Sequence, residues 1–215
     1  MIRCNATQAI GSSGQMSECW TDHAGVSLMT DTVLAGFRGA LHSLESELPS
    51  MPLSRWNESV FRYYFCRAVA AFDKMVKQFV ECNRIDLVMV QGEQRAFVEF
   101  KFYGKPQRFD PYSGTTKGFK GGPGTKNLRE FQECINQLAE RDAVPGLSKY
   151  IVLVYADRNG NDTKGRQFAR YYDDYKHSHE ACEIQSLVVS RDLISSPEGD
   201  VRANLYKVGG GMDTI

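Results

Sequence analysis

Apolar residues recur at spacings of three and four from Val26 to Leu48, through Leu28, Val33, Leu34, Phe37, Leu41 and Leu44. This spacing predicts an amphipathic helix ended by Pro49. After the connector LPSMPL, Ser54 is a candidate cap for a long helix. Phe61, Phe65, Val69, Phe72, Val76 and Phe79 mark one face of it, and Trp56, Val60, Tyr64 and Ala68 widen that face. The period then changes. IDLVMV and AFVEFKF are rich in β-branched and aromatic residues and flank QGEQ, which predicts a hairpin with Gly92 and Glu93 as the loop and Gly92 at positive φ. Asn127 with Glu130 forms a candidate capping box for a helix carrying Leu128, Phe131, Ile135 and Leu138 to about Arg141. A buried strand at 150–156 follows, and a right-handed crossover sets it parallel to the second hairpin strand. Further along, Phe168, Tyr171, Tyr172 and Tyr175 predict a helix to about His177, and IQSLVVS a strand, both as peripheral additions.

These elements place residues 1–25 as a flexible arm, 26–205 as one domain with its core at about 54–156, and 206–215 as a tail. A chain of 215 residues with 42% hydrophobic and 24% charged content suits one well-buried domain. Lys plus Arg and Asp plus Glu number 26 each, so no overall basic field draws in nucleic acid, and such a site has to be a local patch. The N-terminal segment lacks the pattern of a signal peptide, and no run approaches a membrane span, so the expectation is a cytoplasmic protein without membrane contact. The six cysteines never form a CxxC pair and are expected to be reduced. His177, His179 and Cys182 lack a fourth zinc ligand at standard spacing. Neither a GxSxG elbow nor a P-loop fits the chain, and there are no internal repeats.

Charge inside the hairpin raises the chemical question. With Gln91 opposite Gln94, Asp86 falls opposite Glu99, and Lys101 shares that face roughly 7 Å along the strand. Two facing carboxylates repel and persist best where a cation or a proton neutralises them, and hard divalent ions suit such oxygen donors. A solvated hairpin face would be polar at every second position. Here Val88, Val90 and Phe97 share the face with the charges. The competing reading is a surface salt-bridge cluster.

Asp86 followed after twelve residues by Glu99-Phe100-Lys101 on adjoining strands resembles the signature of the PD-(D/E)XK nuclease superfamily, the restriction-endonuclease-like proteins. Ile85 stands at the Pro of the family's name. The resemblance covers about residues 54–156 and implies an α/β fold, with an αβββαβ core and a central mixed sheet flanked by helices. It further implies magnesium, with manganese as a substitute, held by Asp86, Glu99 and the backbone carbonyl of Phe100. Lys101 then positions the attacking water or stabilises the pentavalent state. Glu58, on the apolar stripe at the start of its helix, fits the family's helix glutamate and would complete the catalytic and metal set. An ordinary first-turn Glu favoured by the helix dipole is the alternative.

The implied activity is metal-dependent hydrolysis of phosphodiester bonds, with DNA ahead of RNA as partner and endonuclease as the leading form. The alternative is a non-catalytic nucleic-acid or protein binding module on the same fold, and a homodimer or partner subunit is left open. Residues 103–126 hold six glycines, three prolines and five Lys plus Arg with four aromatics, and read as a loop over the site. Arg108, Lys117, Lys120 and Lys126 are its candidates for gripping phosphates. A plain disordered insert is the competing reading. Gln137 is a further substrate-binding candidate through the exonuclease-like branches of the family.

Overall fold

The computed structural model describes residues 28–51, 53–103, 107–110, 112–118, 125–141, 144–157, 184–189, 194 and 200–209. The expected arm and the tyrosine-rich helix near 168–177 lie outside the described residues. The architecture is α/β. A mixed six-stranded sheet places Lys77–Cys82 (β1), Ile85–Gln91 (β2), Gln94–Tyr103 (β3), Leu147–Asp157 (β6), Asp200–Val208 (β8) and Ile184–Val189 (β7) side by side in that order, with helices on both faces.

Helix α1 spans Leu28–Glu47 and buries Val33, Phe37 and Leu44 of the expected stripe, together with Ala40, whereas Leu34 and Leu41 are partly buried and Leu28 is exposed. It lies close against α2, Glu58–Phe72. A Cβ on Gly36 would come within 2.7 Å of Val69 Cγ2, so glycine there permits the approach of the two helices. Both helices cover one face of the sheet, packing on Leu87, Met89, Ala96, Val98 and Phe100.

The start and end of α2 correct the sequence reading. Its cap is Asn57, whose side chain accepts the Val60 N–H at 3.0 Å, whereas Ser54 lies in a single 3-10 turn, Leu53–Arg55. The helix stops at Phe72. Asp73 adopts an extended backbone (φ −142°), donates its N–H to Val69 O, and accepts the Met75 N–H at 2.8 Å. Val76 and Phe79 continued the helical spacing, yet Lys77–Cys82 is strand β1, paired antiparallel with β2. Pairing with a ready strand overrode a local pattern of equal apolar content.

Strands β2, Ile85–Gln91, and β3, Gln94–Tyr103, form the expected hairpin, with Gln91 opposite Gln94 and Gly92 at φ +58°. β1 joins β2 through Asn83 and Arg84, both at positive φ (52° and 67°), as a two-residue type I′ connection demands. Residues 103–126 are not a plain loop. They contain the hairpin β4, Gln107–Asp110, and β5, Thr115–Gly118.

Helix α3 spans Thr125–Ala139, so Asn127 sits buried within its first turn and not at its cap. Lys149 closes the other end, donating to the carbonyls of Ala139 and Arg141 at 3.2 and 2.5 Å. Strand β6, Leu147–Asp157, runs parallel to β3 as expected, with Glu99 opposite Ile151 and Lys101 opposite Leu153. α3 covers the second face through Phe131, Ile135 and Leu138 against Tyr103, Ile151, Leu153 and Tyr155.

β7, Ile184–Val189, was expected, but β8, Asp200–Val208, was not. β8 lies between β6 and β7, so the C-terminal strands extend the central sheet. The boundary of the tail at 206 is also corrected, because Tyr206 and Val208 are buried within β8. Cys66, Cys82 and Cys134 are free thiols. Among the described residues, no helix is long and apolar enough to cross a membrane.

Candidate active site

The β2–β3 ladder runs from Gln91 opposite Gln94 to Leu87 opposite Val98, and then the strands part. Parting leaves backbone donors of β3 without strand partners, and carboxylates take them. Asp86 Oδ2 accepts the Phe100 N–H at 2.8 Å, and Glu58 Oε1 accepts the Phe102 N–H at 3.4 Å. An extended residue points its N–H and C=O to the same side, so the Phe100 carbonyl faces this same opening. Glu99 and Lys101 leave β3 on the face covered by α3. The structure thus brings Glu58, Asp86, Glu99 and Lys101 from α2, β2 and β3 into one charged cluster.

Asp86 has a second tether absent from the sequence reading. The buried Arg62 donates from Nη1 to Asp86 Oδ1 at 3.1 Å and from Nη2 to Glu81 Oε1 at 2.8 Å. Both Asp86 oxygens are therefore held, one by a strand amide and one by a guanidinium. Arg62 was legible in one respect: it stands four residues after Glu58 and next to Phe61, which turns it toward the apolar stripe.

Burial pushes the Glu99 carboxyl up to about 8, assisted by the adjacent charge of Asp86 and a hydrogen bond to it; Lys101 and the Asp86 N–H oppose the shift only in part. Burial beside Asp86 favours the protonated form of Glu99, which hydrogen-bonds Asp86. Glu58 is raised as well, first by burial and then by Asp86 and Glu130, against the pull of Lys101 and the Phe102 N–H. Burial would depress Lys101, but Cys134, Glu58, Asp86 and Glu99 outweigh it, and the net shift is upward. Burial drives the Cys134 thiol to about 12, so it is neutral at physiological pH. The Asp86 and Glu58 carboxylates still favour the charged form of Lys101 there, against burial.

The donor set fits a hard divalent cation of the magnesium type. Such an ion keeps several waters and takes one or two carboxylates, which Asp86, Glu99 and the outward-facing Phe100 carbonyl match. Among the described residues, no three His, Cys, Asp or Glu side chains form a ready ion-holding group. The close donors are a pair, with Glu58 engaged on Phe102.

The remaining candidates separate. Arg108 and Lys117 stand opposite each other across the β4–β5 ladder. Lys126 is exposed in the first turn of α3, and Gln137 is exposed further along that helix. Lys120 lies outside the described residues. No family model matches the chain, and no curated protein or solved structure matches it either.

Proposed function

We propose that the protein is a metal-dependent nuclease on a restriction-endonuclease-like core, acting on phosphodiester bonds and first of all as a DNA endonuclease. The observation that carries this reading is the carboxylate pair Asp86 and Glu99 beside the cationic Lys101, where β2 leaves β3. The element order α2, β1, β2, β3, α3, β6 supports the core assignment, with the β4–β5 hairpin inserted before α3.

Asp86, Glu99 and the Phe100 carbonyl would hold magnesium or manganese, with Glu58 as an outer ligand. When bound, the ion supplies Lewis acidity and a water of lowered pKa. Lys101 contributes as an ammonium: it donates to a non-bridging phosphate oxygen and stabilises charge as the phosphorus becomes five-coordinate. Arg62 and the Phe100 N–H fix the direction of the Asp86 carboxylate, which removes reorganisation from the reaction. Glu58 lies within the field of Lys101 and helps to keep it charged.

The test is cleavage of plasmid, single-stranded DNA and RNA with magnesium, manganese or chelator, comparing the native chain with Glu99→Gln and Lys101→Met. The expected result is metal-dependent cutting, lost with Glu99→Gln and lowered about 100- to 1,000-fold with Lys101→Met. No cutting of any substrate, together with no thermal stabilisation by either metal, would overturn the reading.

A further inference from the structure

A groove of about 380 Å³ opens on the α3 side of β1, β2 and β3. Its floor follows from strand register. Phe79 on β1 pairs with Val88 on β2, and Val88 pairs with Phe97 on β3, so one rung carries two aromatic rings with a small apolar residue between. Glu99 is two residues from Phe97 on the same face of β3, a separation of roughly 7 Å, and Asp86 lies beside Glu99. Phe79 is 47% exposed, a large apolar surface on the outermost strand.

The walls are cationic. Arg95 and Arg141 line the groove, and among the described residues no acidic side chain does. Arg141 donates to the Asn83 carbonyl at 3.2 Å, which stations its guanidinium at the end of the groove beside the β1–β2 turn. On α3, Glu130, Cys134, Gln137 and Arg141 fall at spacings of four, three and four, a single helical stripe. Glu130 and Cys134 lie in the field of the carboxylate and lysine cluster, whereas Arg141 lies in the groove. The exposed Gln137 stands between them, so the stripe runs from the candidate active site into the groove.

We infer that this groove binds single-stranded nucleic acid on the approach to the scissile bond, with an unstacked base on the Phe79, Val88 and Phe97 rung and backbone phosphates on Arg95 and Arg141. Aromatic faces beside cations recognise bases and phosphates together, and a base can reach such a floor only when it is unpaired. Charge selects the occupant: an apolar groove walled by two arginines complements a polyanion. The inference deepens the nuclease reading by naming the form of its substrate.

The test measures binding of a fluorescent oligothymidylate by anisotropy in chelator, where cutting does not occur, with a duplex of the same length as competitor. Phe79→Ala and Arg141→Gln change exposed groups outside the carboxylate cluster. Phe79→Ala is expected to weaken oligothymidylate binding at least about fivefold, and Arg141→Gln to reduce the salt slope by about one. The duplex is expected to compete poorly. Affinity unchanged in both variants, or a duplex that competes equally well, would overturn the inference, as would self-association of the chain that Phe79→Ala abolishes without any oligonucleotide binding. Groove-dependent binding without metal-dependent cutting would sustain the groove and remove the nuclease reading. Metal-dependent cutting indifferent to both variants would do the reverse.

Discussion

Arg62 holds Asp86 at 3.1 Å from within the interior, with the arginine only 7% exposed. The contact ties the first helix of the core to the strand carrying the first site carboxylate. It also compensates a guanidinium that would otherwise be buried without a partner, a costly state. The second partner, Glu81, has a side chain that is 72% exposed, so water screens that pair.

Asymmetric consequences are expected from the two sides of this pair. Asp86→Ala leaves the buried guanidinium with only the solvent-screened Glu81 and is expected to lower stability by about 1–3 kcal/mol. Glu81→Gln is expected to change it by less than about 1 kcal/mol. Urea unfolding of both variants in chelator checks this, and equal losses would show that the exposed partner carries the anchoring.

The hairpin, its register and the charged triplet were legible because strand alternation and a positive-φ glycine are local signals. The partner of Arg62 was not, since a basic residue beside an apolar stripe reads equally well as a solvated side chain until that partner is known. β1 was hidden for a different reason: Val76 and Phe79 fall at helical spacing from Phe72, and only pairing with β2 distinguishes strand from helix. β8 was hidden because its place between β6 and β7 is a long-range choice that no local period encodes. Gln137 came from the resemblance alone, and it is exposed on α3.

The packing beneath the site yields a second prediction. Phe65 is fully buried and meets the Phe100 ring edge-on at 5.2 Å. Phe65→Ala is expected to cost about 3–5 kcal/mol through the cavity it leaves. Because Phe100 also donates its N–H to Asp86, the same variant is expected to lower kcat in any remaining folded fraction. Chemical denaturation and a rate normalised to folded protein separate the two effects.

Arg84 occupies the left-handed region at φ +67° in the β1–β2 turn, where a side chain is strained and glycine is not. Arg84→Gly is expected to raise stability by up to about 1 kcal/mol, since L residues pay roughly 1–2 kcal/mol there and glycine loses some of that gain in unfolded-state entropy. A thermal melt decides it. A lower Tm would mean that the Arg84 side chain makes a compensating contribution.

Glu99 links stability to pH in a direction opposite to that of an ordinary paired carboxylate. Its folded-state pKa of about 8 stands above the ordinary value of 4.5, so the folded chain holds a proton that the unfolded chain releases. Stability from this group is complete below about pH 4.5 and declines as pH rises toward 8. In chelator, the native Tm is therefore expected to fall relative to Glu99→Gln across that window, because an amide cannot lose the proton. A divalent cation competes for the same oxygens, so magnesium is expected to stabilise the native chain more at pH 8 than at pH 5 and to leave Glu99→Gln nearly unaffected at either. Melts of both proteins at the two pH values, with and without magnesium, check the linkage. Parallel pH profiles in chelator would mean that Glu99 already ionises in the folded protein near the usual carboxylate range, with Lys101 and Arg62 neutralising the pair in place of a proton.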